Sequence, residues 1–535
     1  MLEQELKLHL PAAAQAAVLK QLAAQAGPRR MRLRAMYFDT VDRQLGRQLA
    51  ALRLRQEGRR WVQTFKMAGA DTLSRFELNH ARPGPVLDLS VYAGTPVANL
   101  IAALQGELVV RYETDVMRLT REVRLRAGVV EVACDIGQIR AGELSIPISE
   151  VEFELLRGRP VALFTLAARW HKAHGLALDL RSKAERGDAL AEAWLRQPEG
   201  DDRKAQALAR YAAPRRQAPV TLRPQASADD ALRRVTSECL DQMNRNGLLV
   251  QGVDGLALTP AQLAEAVHQW RIGLRRLRSA WKWFEGATAL PPETWRAQAR
   301  LLFNAVGAGR DEHVLHAEIL PALQAAGMPD LPPASTTDEP AQTPAQVLQK
   351  AGFAAWLLQL YQWTVVQAEA AAEAPQLASK SWPEDTATPP TLAGGAATHD
   401  SAVSWVGPLL TRLRKWHRRL VRDGRRFHRL TDDERHELRK LGKRLRYNLQ
   451  FAEALLPARR LKPYKAQLAV VQDVLGEIND WVTAREVLRA RATTTPEAWF
   501  GVGWLTAALE PKYEHAAAQF RKLEALKPFW GKRLG

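Results

Sequence analysis

The opening residues MLEQELKLHL put Glu3, Glu5, Lys7 and His9 on one side of a period-two pattern and Leu2, Leu6, Leu8 and Leu10 on the other. That alternation marks a strand with one polar and one apolar face. Two carboxylates beside an ammonium can hold a divalent cation or simply meet water, and recurrence decides between these. Arg53 and Arg55 share a face, Lys66 lies with Thr64 and Val62, and Arg75 pairs with Glu77. Arg118 sits in TDVMRLTREVRLR, Asp135 lies with Ala133 and Glu131, and Glu150, Glu152 and Glu154 alternate with Val151, Phe153 and Leu155. An ordinary wet face mixes Ser, Thr, Gln and charge, whereas here basic strands and acidic strands are segregated. A closed barrel with charged faces around a lumen and apolar faces outward accounts for this. Buried charges persist only when paired, metal-bound or ligand-bound. Carboxylates opposite Arg and Lys suit a divalent metal carrying a polyphosphate.

The elements that must position these groups follow from turn residues and periodicity. PAAAQAAVLKQLAAQAG (11–27) reads as a short helix with Pro11 near its start and Gly27 at its end. Strand patterns follow at 30–40, 49–57, 60–67 and 74–80, with a second series from about 108 to 156, so the expectation is an antiparallel sheet or barrel. Residues 1–200 form the first domain, 201–225 a Pro- and charge-rich linker, and 226–535 a helical domain. The fold class is therefore α+β with two domains, in line with 535 residues being too many for one core.

The helical domain repeats itself. His268, Arg271, Arg275, Arg276 and Arg278 are matched 168 positions later by His436, Arg439, Lys443, Arg444 and Arg446, and VGAGRD at 306–311 answers LGEIND at 475–480. Two half-repeats, about 226–370 and 403–535, flank an insertion at 371–402, and a second insertion lies at 328–346. Spacings of three and four put His268, Arg271, Arg275 and Arg278 on one helix stripe, and His436, Arg439, Lys443 and Arg446 on another, where like charges repel unless a ligand or solvent offsets them. Lys440 adds to the second row. Residues 411–446 hold 15 Lys+Arg against 5 Asp+Glu, over half of the chain's net +18, which points to a binding surface for a polyanion. Trp270, Trp281 and Trp416 are read as core, and no nucleic-acid motif stands out, which argues against nucleic acid. Two cysteines, Cys134 and Cys239, do not make a disulfide framework and suit a reducing compartment. No apolar run reaches the ~18 residues of a membrane span, and the acidic start is unlike a secretory signal. The cytoplasm is the expected location.

The segments MLEQELKL, MYFDT, LRLRQE, TFKM, RFEL, TDVMR, CDIG, EVEFEL and SKAERG resemble, in order and spacing, the CYTH domain of triphosphate tunnel metalloenzymes over residues 1–190. The resemblance implies an eight-stranded antiparallel tunnel. By motif, Glu3, Glu5, Asp135, Glu152 and Glu154 would be ligands of Mg²⁺ or Mn²⁺. Lys7, Arg53, Arg55, Lys66, Arg118 and Lys183 would grip phosphate oxygens, and Arg75 and Glu77 would lie along the tunnel wall. The family fixes one E-x-E pair where this chain offers three alternating glutamates; the later pair is preferred and the role of Glu150 stays open. VHQWRIGLRRLRSAW and RHELRKLGKRLRY, with GAGRDEHVL and LGEINDWV, resemble the CHAD domain, a conserved-histidine α-helical domain associated with polyphosphate, over 226–535. That resemblance implies polyphosphate contacts from the two rows and association with polyphosphate granules. Lys443 departs from the repeat, which has Arg at that position. A metal site at the histidines is disfavoured by the surrounding cations. The expected activity is metal-dependent hydrolysis of inorganic triphosphate joined to polyphosphate binding. The alternatives are a non-catalytic polyphosphate-binding protein, or a tunnel acting on thiamine triphosphate, on nucleoside triphosphates or as an adenylate cyclase.

Overall fold

Strand alternation and apolar outer faces build a closed barrel in the computed structural model, which describes residues 2–24, 29–69, 73–306, 315–332, 342–377 and 405–530. Its strands are β1 (Leu2–His9), β2 (Arg29–Thr40), β3 (Ala50–Glu57), β4 (Arg60–Ala68), β5 (Ser74–Arg82), β6 (Leu108–Leu125), β7 (Gly128–Ala141), β8 (Leu144–Gly158) and the short β9 (Ala177–Leu178). The order is β5-β4-β3-β2-β6-β7-β8-β1, every pair antiparallel, and β1 pairs back to β5 to close eight strands. β1 divides its edge. Glu3 pairs with Arg75 of β5, while Leu8 and His9 pair with Leu178 and Ala177 of β9.

The expected helix at 11–27 is Gln15–Ala23, preceded by a tight turn at Ala12–Ala14. Leu6 and Leu8 are fully buried on the outer face of β1, beside Val151 and Phe153 of β8. Helix Val161–His174 covers them, with Phe153 and Trp170 edge to face at 5.7 Å. On the other side Leu52 and Phe65 pack on Tyr92 and Ile101. Each fully buried side chain of this kind contributes roughly 2 kcal/mol, so the apolar parity commits the charged parity to the interior. The stretch expected as linker contains helix Arg203–Tyr211, whose Ala207 is fully buried against the barrel cluster of Ile139 and Ile146; an alanine small enough to dock turns a Pro-rich connector into part of the core.

Beyond β9 the described residues are helical or irregular, including Ala228–Val250, Pro260–Phe284, Val406–Gly424, Asp432–Phe451, Ala458–Arg491 and Ala498–Ala525. The two His-led rows lie on Pro260–Phe284 and Asp432–Phe451. The second helix starts at Thr431, whose side chain accepts from the Glu434 amide while the Glu434 carboxylate accepts from the Thr431 amide, a reciprocal cap. Asn448 donates to the Ser279 carbonyl at 3.1 Å and Trp283 to the Leu409 carbonyl at 3.0 Å, so the half-repeats are bonded together. Of the repeat segment VGAGRD only Val306 is described, and residues 333–341 of one expected insertion and 378–402 of the other lie outside the described residues. Internal contacts gather the chain into two compact units: Met1–Arg216 with Asp241–Trp270 and Gly352–Pro375, and Gln217–Leu240 with Arg271–Ala351 and Gln376–Gly535.

Candidate functional site

Inward parity brings the expected tunnel residues to one cavity of about 670 Å³. β1 supplies Glu3, Glu5 and Lys7, β3 supplies Arg53 and Arg55, β4 Lys66, and β5 Arg75 and Glu77. β6 adds Arg118, β7 Asp135, and β8 Glu152 and Glu154. Lys183 enters from the first turn of helix Lys183–Leu195, where the Ser182 hydroxyl caps the helix by accepting from the Glu185 amide at 3.0 Å. The SKAERG glycine has a steric reason: a Cβ on Gly187 would lie 2.1 Å from the Tyr112 ring, so only glycine lets this helix close on the barrel.

Opposite charges interlock on the β6–β8 wall. Arg118 donates to both Asp135 oxygens at 2.7 and 2.6 Å and to Glu152 at 2.5 Å. The Lys183 ammonium lies 2.6 Å from Asp135, 2.5 Å from Glu150 and 2.9 Å from Glu152. Burial alone would lower its pKa; the three carboxylates hold it above the ordinary lysine value. Lys7 bridges Glu5 at 3.2 Å and Glu152 at 3.3 Å. Across the lumen Lys66 joins Glu3, at 3.3 Å, to Glu77, and Arg75 stands 3.9 Å from Glu5.

In two regions of the lumen like charges crowd together. Arg55 is buried beside Arg53 and Arg118, and burial together with those neighbours pushes its guanidinium down to about 10 although Glu57 accepts from it at 2.6 Å. On the acidic side Glu154 faces Glu5 across β1–β8 and Glu131 across β7–β8. Like charges directly opposite destabilise a sheet, and among the described residues neither Glu131 nor Glu154 has an ion-pair partner. Burial and the neighbouring Glu131 raise Glu154 above its ordinary value; burial and Glu77 push Glu3 up to about 7. The lumen therefore holds one patch where guanidinium groups crowd together and another where carboxylates do.

Sequence reasoning missed two members. Glu131 shares the Asp135 face, which parity made visible, but its importance depends on Glu154 lying opposite it in the neighbouring strand. Glu150 is buried, and one carboxylate oxygen each of Glu150, Asp135 and Glu152 lie within 4.8 Å of one another. The tightest carboxylate triad thus uses the earlier E-x-E pair, not the preferred later one. The residues of that triad are, however, bonded to Lys183 and Arg118, unlike Glu131 and Glu154.

The helical rows are less uniform than their spacing implies. Arg276 is 2% exposed, 3.4 Å from Glu238 and stacked over Phe451; it is a core ion pair, because the helix turns that position away from solvent, and it does not reach a polyanion. Arg271, Arg275 and Arg278 lie over the Phe303 ring, with Arg271 also donating to the Val306 carbonyl; His268 is half-buried. In the second row His436 is bonded to Asn479 at 2.7 Å. Arg439, Lys443 and Arg446 line a cleft that they share with Asp473, Glu477 and Asp480. Lys440 pairs with Glu437, and Arg444 lies over Trp416, which is half-buried where a core tryptophan was expected; Trp270 and Trp281 are core. Half of the charge excess of 411–446 comes from helix Val406–Gly424. Its Arg414, Arg418 and Arg422 form a groove with Arg459, Arg460 and Lys527.

Protein-family models match both regions: the CYTH domain over residues 1–187 and the CHAD domain over residues 234–489. The chain is a CYTH–CHAD protein. A relative of this CYTH–CHAD chain, the inorganic triphosphatase of Haemophilus influenzae, is 31% identical over 160 residues, 29% of this chain, and the match spans 44% of that relative's length. Among solved structures, the CHAD domain of Ricinus communis is 26% identical with a TM-score of 0.39, covering 59% of this chain and 98% of that one. A putative adenylyl cyclase from Hippeastrum, described as having a dominant triphosphatase activity, is 17% identical with a TM-score of 0.26, covering 34% and 92%. Among the described residues of the CYTH–CHAD protein no helix is long and apolar enough to cross a membrane.

Proposed function

We propose that the CYTH tunnel hydrolyses the terminal phosphoanhydride of inorganic triphosphate with Mg²⁺ or Mn²⁺, and that the CHAD domain binds long-chain polyphosphate in the cytoplasm. The observation that carries the first part is the separation of like charges within one lumen: Arg55 crowded by Arg53 and Arg118, and Glu131 and Glu154 facing each other with no ion pair among the described residues. The donor set fits the metal, since Glu3, Glu5, Glu131 and Glu154 offer only carboxylate oxygens, the ligands Mg²⁺ and Mn²⁺ prefer. A bound divalent ion supplies charge neutralisation at the phosphate oxygens and a water of lowered pKa.

The chain's own residues do the rest. Arg53 and Arg55 bind phosphate oxygens, Arg118, Lys7, Lys66 and Lys183 orient the chain of phosphates, and the closed wall keeps these interactions out of bulk water, where they would be weaker. When phosphate oxygens take over Arg118 and Lys183, Asp135 and Glu152 are released as further oxygen donors. Charge that the protein balances internally is in this way exchanged for charge on the ligand, and positioning and electrostatics supply the rate.

Phosphate release from inorganic triphosphate, with and without Mg²⁺, tests this. The wild-type chain should turn over only with the metal, and Glu5→Gln should lose about a hundredfold or more of the rate. Running thiamine triphosphate and ATP alongside separates the substrates, and cyclic nucleotide formation without phosphate release would overturn the hydrolase reading. For polyphosphate the supporting observation is the arginine groove of Val406–Gly424, where Arg418, Arg459 and Arg460 have no acidic partner among the described residues.

A further inference from the structure

Lys183 and Glu150 are braced by a segment beyond the CYTH match. Helix Ala228–Val250 ends in a turn where Val253 donates to the Leu248 carbonyl at 3.1 Å and Gly252 and Gly255 take φ of 66° and 68°. Glycine enters that left-handed region without the cost a Cβ imposes, so the turn between them is fixed. Val253 and Leu248 pack on Ala177, which follows from the short strand against β1.

Asp254, 5% exposed, sits at the centre of this turn. It accepts from Arg181 at 2.7 and 3.2 Å, from Arg186 at 2.9 Å and from the Tyr211 hydroxyl at 3.0 Å. Arg181 is held from its other side by both oxygens of Asp179. Arg186 reaches the other way, to one oxygen of Glu150 at 3.3 Å and to the Pro147 carbonyl at 2.6 Å. The second oxygen of Glu150 accepts from Lys183 at 2.5 Å. A continuous chain of buried charge therefore runs from Asp254 through Arg186 and Glu150 to Lys183. Arg245, about two helical turns before Gly252, also lines the tunnel cavity and pairs with Glu185.

We propose that Asp254 is a positioning residue of the tunnel: by holding Arg186 it keeps Glu150 divided between Arg186 and Lys183, and so sets where the Lys183 ammonium meets phosphate. Without Asp254, Glu150 is the carboxylate that Arg186 still pairs with, Asp179 acting on it only from farther off. An uncompensated buried guanidinium is costly, so it draws both Glu150 oxygens to itself and lets Lys183 slide toward Asp135 and Glu152. The tunnel is then incomplete at residue 187, where the CYTH match ends, and it takes a carboxylate from inside the stretch matched to CHAD. This inference rests on the tunnel reading only in that Lys183 grips phosphate.

The test uses the full-length chain. Asp254→Asn should lower kcat for inorganic triphosphate about tenfold and weaken triphosphate binding in EDTA, read by calorimetry, about fivefold, with KM changed less than kcat and near-ultraviolet circular dichroism unchanged. Arg186→Gln combined with Asp254→Asn removes the orphaned guanidinium and should recover much of the lost kcat per folded chain, a non-additivity in rate that a loss of folded protein does not produce; it also serves if the single variant does not fold. Wild-type kcat and EDTA affinity in Asp254→Asn would overturn the proposal. So would additive losses in the double variant, or a fall in folded fraction with unchanged affinity per folded chain. If the wild-type chain binds triphosphate in EDTA but hydrolyses none, the hydrolase reading fails while the binding arm still decides Asp254; if it binds none, both fall.

Discussion

The barrel and the helical region both concentrate charge, yet they treat it in opposite ways. In the barrel, Arg118, Lys183 and Lys7 are buried against Asp135, Glu150, Glu152 and Glu5, each oxygen and nitrogen at a fixed distance. In the helical region, Arg418, Arg422, Arg459 and Arg460 line an open groove. Water screens the second arrangement and barely reaches the first. Burial thus turns a charge pattern into a site with defined geometry, whereas exposure yields a surface that attracts polyanions with little selection among them.

That contrast can be broken at its strongest point by removing Arg118. Arg118→Gln leaves Asp135 and Glu152 short of a partner, and should cost about 3 kcal/mol of stability in urea unfolding as well as most of the triphosphate turnover. A stability loss as small as that of a surface arginine would show that the lumen is wet and the comparison misplaced. The groove should respond differently. Changing Arg418, Arg459 and Arg460 to Glu is expected to weaken polyphosphate binding by more than about tenfold at low salt and to flatten its salt dependence, leaving triphosphate turnover intact. Equal loss of both activities would end the separation of the two regions.

Smaller effects sharpen the description of the lumen itself. Glu131→Gln removes one member of the Glu5, Glu154 and Glu131 row, and the Mg²⁺ concentration for half-maximal turnover should rise about tenfold with the fold unchanged. An unchanged Mg²⁺ requirement would return Glu131 to the role of a wall residue. The smallest effect is with pH. Glu3 is pushed up to about 7, so its carboxyl is mostly protonated at pH 6 and mostly ionised at pH 8. The Mg²⁺ requirement should accordingly be about fivefold higher at pH 6 than at pH 8, and Glu3→Gln should lessen that difference.

Much of the barrel was legible because strand parity is local. Leu6 and Leu8 against Glu5 and Lys7 announce two faces without knowledge of any neighbour, and all of the expected tunnel residues do line one cavity. What stayed hidden depends on a partner strand or a packing choice. Glu131 needed Glu154 opposite it; Glu150 needed Arg186 behind it; Arg276 was expected to reach a polyanion with its row, but Glu238 and Phe451 bury it. The His-led rows repeat faithfully in type and spacing, yet one cation of the first row is core and the second row shares its cleft with carboxylates.

By itself the amino-acid order determined which face of each strand is charged, which helices carry cation rows, and where the glycines Gly187, Gly252 and Gly255 permit close approach or a left-handed turn. These follow from backbone sterics and side-chain period, which act over a few residues. Tertiary structure alone decided which charges meet: that Glu5, Glu154 and Glu131 stand abreast, that Lys183 reaches into the barrel, and that Asp254, more than seventy positions later, closes the network behind it. The reason is physical, since pair energies between buried charges depend steeply on separation and burial, and both are set only when apolar packing has brought distant segments together.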